Sequence, residues 1–160
     1  MSTITYLSLG GNLGNTIEIF QNSREILTKK VGKITQLSSL YQTAAWGPIP
    51  QNDFINQVIE LETKLSAPEL MDILLEIELK QGRVRQERWG PRTLDLDIIF
   101  FGEQLISTES LEIPHPRMED RKFVLVPLNE INPNFIHPTF HKTVQQLLME
   151  CPDECECRIV

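Results

Sequence analysis

Leu94-Asp95-Leu96-Asp97-Ile98-Ile99-Phe100-Phe101, closed by Gly102, is the stretch on which the fold turns. It is rich in β-branched and aromatic residues, too short for an amphipathic helix and ended by a glycine, so it reads as a strand. Upstream, Ser66-Ala67-Pro68-Glu69 is a capping box with a first-turn proline. It opens a helix whose apolar face is Leu70, Ile73, Leu74 and Ile77 and which stops at Gly82. Before that helix, Phe54 to Glu62 alternates Ile55, Gln57, Ile59 and Leu61 against Asn56, Val58, Glu60 and Glu62, which predicts another strand. Ile34 to Thr43 reads as a strand closed by the irregular run Trp46-Gly47-Pro48-Ile49-Pro50. The chain opens with a strand over Thr3 to Leu9 and the turn Gly10-Gly11-Asn12-Leu13-Gly14. A helix follows, with Asn15 and Glu18 as its capping box, Ile17, Phe20, Arg24, Leu27 and Val31 at helical spacing, and Gly32 at its C-cap. The order strand, helix, strand, strand, helix, strand predicts an α+β, ferredoxin-like βαββαβ core, an antiparallel sheet with both helices on one face. After Gly102 the sequence predicts a hairpin around Leu105 and Leu111, a loop with Pro114 and Pro116, and a last helix near Thr143 to Met149.

The 160 residues suit one domain over 1–160. No repeat, low-complexity tract or Pro/Gly/Ser-rich linker divides them. The net charge of −7 argues against an electrostatic grip on a nucleic-acid backbone or an anionic membrane. Arg24 is the first basic side chain, so no charged leader precedes an apolar stretch, and no apolar run approaches the ~20 residues that span a bilayer. A cytoplasmic protein is expected. The three cysteines, Cys151, Cys155 and Cys157, lie in the last ten residues and cannot staple the body of the fold. With no histidine nearer than His141, they read as a fraying chain end rather than a metal site.

On a strand, Asp95 and Asp97 share one face while Leu94, Leu96 and Ile98 take the other. Two carboxylates about 7 Å apart at the backbone repel each other and are costly against a core. A hard divalent cation removes both problems, and Mg²⁺ takes one or two carboxylates together with substrate phosphates and water. The competing reading is a solvated strand face. Immediately upstream, Gly82 to Arg92 holds Arg83, Arg85, Arg88 and Arg92 against one acid, Glu87, around Trp89-Gly90-Pro91. Guanidinium forks pair bidentately with phosphate oxygens, so cations beside metal-binding anions make the two halves of a polyphosphate clamp. A solvated basic loop is the plainer alternative. The Gly10 to Gly14 turn fits neither the dinucleotide fingerprint nor the P-loop and reads as structural. His115 stands between two prolines with Arg117, Arg121 and Lys122 nearby, a context shared by neither His137 nor His141.

The run Gly82-Arg83-Val84-Arg85 with Glu87-Arg88-Trp89-Gly90-Pro91-Arg92-Thr93-Leu94-Asp95-Leu96-Asp97-Ile98 closely resembles the signature of the 6-hydroxymethyl-7,8-dihydropterin pyrophosphokinases. Supporting matches are Gly10 to Leu13, Tyr41-Gln42-Thr43, Gly47-Pro48, Asp53-Phe54-Ile55-Asn56, and Ile113-Pro114-His115 through Arg121-Lys122-Phe123. The resemblance implies transfer of the pyrophosphoryl group of ATP to the pterin hydroxymethyl oxygen, with release of AMP, in folate biosynthesis. It implies that Asp95 and Asp97 hold two Mg²⁺ ions and that Arg83 and Arg92 neutralise charge as the β-phosphorus is attacked. Arg85, Arg88, Trp89, His115 and Arg121 would enclose ATP, and Glu78 would lie in the nucleotide site. Phe54 and Phe123 would stack on the pterin, with Asn56 reading its edge, Asp95 beside it, Thr43, Ala44 and Trp46 completing the pocket, and Asn12 supporting it. The sequence departs from the family at Ala44-Ala45, where many members carry a proline pair, around Leu75, Ser110 and Glu112 near the nucleotide, and in the cysteine-bearing tail.

The expected partners are therefore ATP and the pterin, with no nucleic acid, no membrane and a monomeric chain. One alternative is a non-catalytic ferredoxin-like module that binds RNA or a small ligand. RNA binding calls for exposed sheet aromatics and a basic surface, and this chain is acidic with Phe54 only at the start of its strand. A nucleotidyl transferase would use the same paired aspartates, but the Arg-Trp-Gly-Pro-Arg run argues against it.

Overall fold

The computed structural model describes residues 1–45, 47–82 and 90–160. Strand β1 (Thr3–Gly11) leads to helix α1 (Thr16–Lys30), where Asn15 Oδ1 accepts from Glu18 N at 3.2 Å. Val31 closes that helix, and Gly32, expected at its cap, already begins the next strand. A side chain there would drive its Cβ into the Glu62 carbonyl oxygen, so the glycine serves close strand approach. The single strand expected over 34–43 is two, β2 (Gly32–Leu37) and β3 (Tyr41–Thr43), and both pair with β4 (Phe54–Thr63). Between them Ser38 keeps the ladder intact: its N–H donates to Val58 O at 2.9 Å and its hydroxyl accepts from Val58 N at 3.0 Å.

Helix α2 (Ala67–Lys80) carries the expected reciprocal Ser66/Glu69 capping box, and Gly82 follows it at φ +86°. Strand β5 (Asp95–Phe101) pairs antiparallel with β1, giving the order β5-β1-β4-β3 with β2 also on β4. A short hairpin, β6 (Ile106–Ser107) and β7 (Glu112–Ile113), stands where expected. A 3₁₀ turn (Met118–Asp120) then enters helix α3 (Lys122–Ile131). The sequence predicts no helix between the Pro114/Pro116 loop and Thr143; α3 carries Pro127 in its interior, and the side chain of its N-cap residue Arg121 makes no capping bond. Helix α4 (Val144–Glu150) lies where the last helix was expected, behind a Thr143/Gln146 capping box. Strand β8 (Arg158–Ile159) extends the sheet beyond β3. The tail is thus tied down rather than frayed: Asp153 Oδ2 accepts from Lys122 N at 2.9 Å, capping α3 from outside its own segment.

Alternation along the strands sends side chains to two cores. Leu7, Leu9, Ile59, Leu61, Leu96 and Ile98 pack against Phe20 and Leu27 of α1 and Leu70, Leu74 and Ile77 of α2. Tyr6, Val58, Ile99 and Phe100 pack on the opposite face against Val124, Leu125 and Leu128 of α3 and Val144 and Leu147 of α4. Each Leu or Ile so buried contributes about 1.5–3 kcal/mol against water. The first two helices do share one face, as expected, and the C-terminal extension covers the other. A register shift between Tyr6 and Leu7 against β5 changes the alternation there, so Ile99 and Phe100 both reach the second core. No helix among the described residues is long and apolar enough to cross a membrane.

Candidate active site

Along the strands, the face that packs against α3 turns polar. Beyond Tyr6, Val58 and Ile99 the next positions inward on that face are Ser8, Asn56 and Asp97, and here the sheet floors a cavity of about 410 Å³. The register puts Gly10 opposite both Asp95 and Asn56, and Ser8 opposite Asp97, so three strands bring these groups side by side. Gly10 supplies room: a Cβ there would stand 3.2 Å from Asn56 Oδ1. Asp95 and Asp97 share the cavity face while Leu94, Leu96 and Ile98 go to the α1/α2 core, as their spacing predicts.

Part of the cavity lining is apolar and amide-bearing. Phe54 from β4 and Phe123 from α3 reach its wall, with Thr43 and Ala44 beside them. Asn56 is buried and donates through Nδ2 to Thr43 Oγ1 at 2.8 Å, which fixes its amide plane. Arg121 lies with its guanidinium carbon 5.8 Å from the Phe123 ring centroid.

Another part of the lining is ionic. Arg92 donates to Asp95 Oδ2 at 2.9 Å, and its peptide is held to the β1–α1 turn. There Arg92 N donates to Asn12 Oδ1 at 2.9 Å, while Asn12 N and Leu13 N donate to Arg92 O at 2.9 and 3.1 Å. Asn12 Nδ2 donates to Gln51 Oε1 and Asn52 O, both at 2.8 Å, so this one buried side chain joins the segments leading to Phe54 and to Asp95. Gly11 permits that closeness, since a Cβ would meet Thr93 O at 2.6 Å.

Two other expected site residues, Glu78 and His115, are not among those that line this first cavity. Glu78 is buried on α2 and does not reach the cavity wall; its carboxylate accepts from Leu96 N at 2.7 Å, holding the strand between the two aspartates. His115 borders a second cavity, of about 330 Å³, together with His137 and Glu119. Its N–H donates to Ile99 O at 3.0 Å and its Nδ1 accepts from Arg117 N at 3.3 Å. Trp46, Arg83, Arg85, Arg88 and Trp89 lie outside the described residues. The sequence reading missed Ser8, Gly90, Arg117 and Asp120, which also line the first cavity. Arg117 and Asp120 could have been found from their spacing to Arg121 across a single turn.

A family model described as 7,8-dihydro-6-hydroxymethylpterin-pyrophosphokinase matches residues 6–133. The chain is 44% identical over 155 residues to a 2-amino-4-hydroxy-6-hydroxymethyldihydropteridine pyrophosphokinase of Synechocystis sp., covering 96% of this chain and 77% of that one. It is 42% identical over 150 residues to the protein of the same name from Pseudomonas aeruginosa, covering 93% and 92%. Among solved structures, a Plasmodium falciparum HPPK-DHPS variant crystallised with STZ-DHP aligns with a TM-score of 0.74 at 17% identity, a likeness of fold. That alignment covers 94% of this chain and 45% of the other, so this chain spans less than half of that protein's length.

Proposed function

The chain belongs to the 7,8-dihydro-6-hydroxymethylpterin-pyrophosphokinase family, and on that premise we propose that it transfers the pyrophosphoryl group of ATP to the hydroxymethyl oxygen of 6-hydroxymethyl-7,8-dihydropterin in folate biosynthesis. The observation that carries this reading is one cavity whose lining holds two chemistries, the rings of Phe54 and Phe123 with the Asn56 amide, and the charged groups of Asp95, Asp97, Arg92 and Arg121. A flat heterocycle fits between aromatic walls. Asn56, with one amide hydrogen committed to Thr43, keeps a donor and an acceptor for the pterin edge. The hydroxymethyl arm then points from the ring towards the charged groups.

Asp95 and Asp97 fit Mg²⁺, being two carboxylates on one strand face beside cations that take phosphate. Bound there, the metal would offset phosphate charge and draw the polyphosphate to the strand. The chain's own residues do the rest. Asn56 and the two rings hold the pterin, and Asn12 holds Arg92 among the charged groups. As the pterin oxygen–Pβ bond forms and the Pα–O–Pβ bridge breaks, the bridging oxygen leaves with AMP and the hydroxyl proton passes to solvent. Arg92 and Arg121 lie where they can stabilise the negative charge that shifts onto the bridge and the equatorial oxygens. The strand order β5-β1-β4 with β2 on the far edge of β4 supports a ferredoxin-like core, and residues 1–160 serve as one catalytic domain. Nucleotide product analysis with ATP, Mg²⁺ and the hydroxymethyl-dihydropterin tests the function. One AMP per pterin diphosphate is expected; ADP, or pyrophosphate with AMP left on the acceptor, overturns it.

A further inference from the structure

Among the described residues three guanidiniums line the first cavity, those of Arg92, Arg117 and Arg121, and they are unequally matched by carboxylates. Arg92 is paired with Asp95. Arg121 lies in the field of both Asp97 and Asp95, but also of Arg117 and Arg92. Among the described residues, the Arg117 side chain makes no ion pair or hydrogen bond, although Asp120 lines the same cavity. Its backbone is fixed all the same: Arg117 N donates to His115 Nδ1 at 3.3 Å and Arg117 O accepts from Asp120 N at 3.1 Å. Pro114 and Pro116 stiffen the approach to it. Arg117 thus brings to the cavity a fixed root and an uncommitted positive head. Like charges gathered this closely repel, and the two aspartates are already engaged with Arg92 and Arg121. The Arg117 residue is exposed to solvent, where an extended anion reaching past the two aspartates could replace water as its partner.

We propose that Arg117 is a further substrate-binding residue, a cation that takes the oxygens of the polyphosphate and, after transfer, of the diphosphate on the product. The assignment rests on the pyrophosphokinase reading of the cavity. A guanidinium suits the task because its fork can follow a phosphate as charge moves from one oxygen to another. Arg117 lies within the electrostatic reach of both Arg121 and His115, so its contribution extends the cationic wall in the direction of the second cavity.

The test is equilibrium binding by calorimetry to the full chain in the presence of Mg²⁺, using an ATP analogue with a non-cleavable α,β bridge, AMP, and the pterin. Arg117→Gln is expected to weaken the analogue about tenfold, ~1.4 kcal/mol, and to leave AMP and pterin within twofold. Arg117→Lys should recover part of the loss, because a point charge keeps the attraction but not the two-pronged geometry of the fork. The salt dependence of analogue binding should also be shallower in Arg117→Gln. Analogue affinity within twofold of wild type overturns the assignment, as does an equal loss for AMP and pterin, which marks general damage. If the wild-type chain itself binds no analogue, the pyrophosphokinase reading falls, and Arg117's role with it.

Discussion

Burial, and then the charges of Arg121 and Arg117, push the His115 imidazole from 6.5 down to about 4, so the ring is neutral at physiological pH. Because Nδ1 accepts from Arg117 N, the ring proton sits on Nε2, which makes His115 a neutral hydrogen-bond donor rather than a cation. The sign of the pH effect follows. Between pH 6.5 and 4 the unfolded chain binds a proton that the folded chain refuses. The stability tied to the neutral ring is therefore complete above pH 6.5 and is lost as the pH falls towards 4, by about 3 kcal/mol at most. Replacing His115 with Asn keeps an acceptor near Nδ1 but removes the titration. The urea midpoint of wild type should drop between pH 7.5 and 5 by clearly more than that of His115→Asn; equal drops count against the shift. His137 is also lowered by burial, but it is present in both proteins and cancels. At this scale the sequence was legible wherever a strand period ordered the groups, as with Asp95 and Asp97. Arg117 escaped because along the chain it is only one more base near His115. Its lack of a counter-ion exists only after the cavity walls have come together.

Among elements, the turn after β1 does more than begin α1. Asn12 clasps the 51–52 segment with its amide hydrogens and the Arg92 peptide with its oxygen. Asn12→Ala would strand several partly buried polar groups and should cost about 2–3 kcal/mol in a denaturant titration. Asn12→Asp separates the two halves of the clasp: its carboxylate still accepts from Arg92 N but cannot donate to Gln51 Oε1 or Asn52 O. Steady-state kinetics should then show the KM for pterin rising more than the KM for ATP, since the lost bonds lead to Phe54. A KM for ATP that rises equally, or neither rising, removes the clasp as the explanation. The glycine-rich turn, which its spacing reads as structural, joins two segments through Asn12 and also brings Gly10 into the cavity lining. Helix α3 was not legible from its caps, since none of its own side chains caps it and Pro127 sits in its interior. Its signal lay in the recurrence of Val124, Leu125, Leu128 and Ile131, visible only if the proline is not taken as a stop. The break between β2 and β3 was equally hidden, because Ser38 continues the hydrogen-bond ladder by its side chain without changing the composition of the run.

For the whole molecule, the net charge of −7 describes the surface seen by a distant polyanion, whereas the cavity gathers Arg92, Arg117 and Arg121 around two aspartates. A small chelated anion meets the local field rather than the total. The same contrast holds for the tail, which the sequence presents as a loose acidic end with three thiols. Burial first, and then the negative field of its neighbours, pushes the Cys157 thiol up to about 11, so it stays protonated at neutral pH and serves packing rather than thiolate chemistry. The tail runs from α4 past the start of α3, where Asp153 caps Lys122 N, and ends as β8 on β3. Those two attachments fall on the elements that carry Phe123, at the start of α3, and Thr43, at the end of β3, both of which line the first cavity. Deleting residues 152–160 removes both at once. The expected result is a loss of about 2–3 kcal/mol, a fall in Tm of roughly 5–10 °C for a chain of this size, with the KM for pterin raised several-fold and that for ATP much less affected. Asp153→Ala isolates the cap and should carry about 1 kcal/mol of that loss. If the truncated chain melts with wild type and keeps its pterin KM, the tail is ornament to the fold. If it melts early with both KM values raised together, the tail supports the molecule at large rather than the pterin walls.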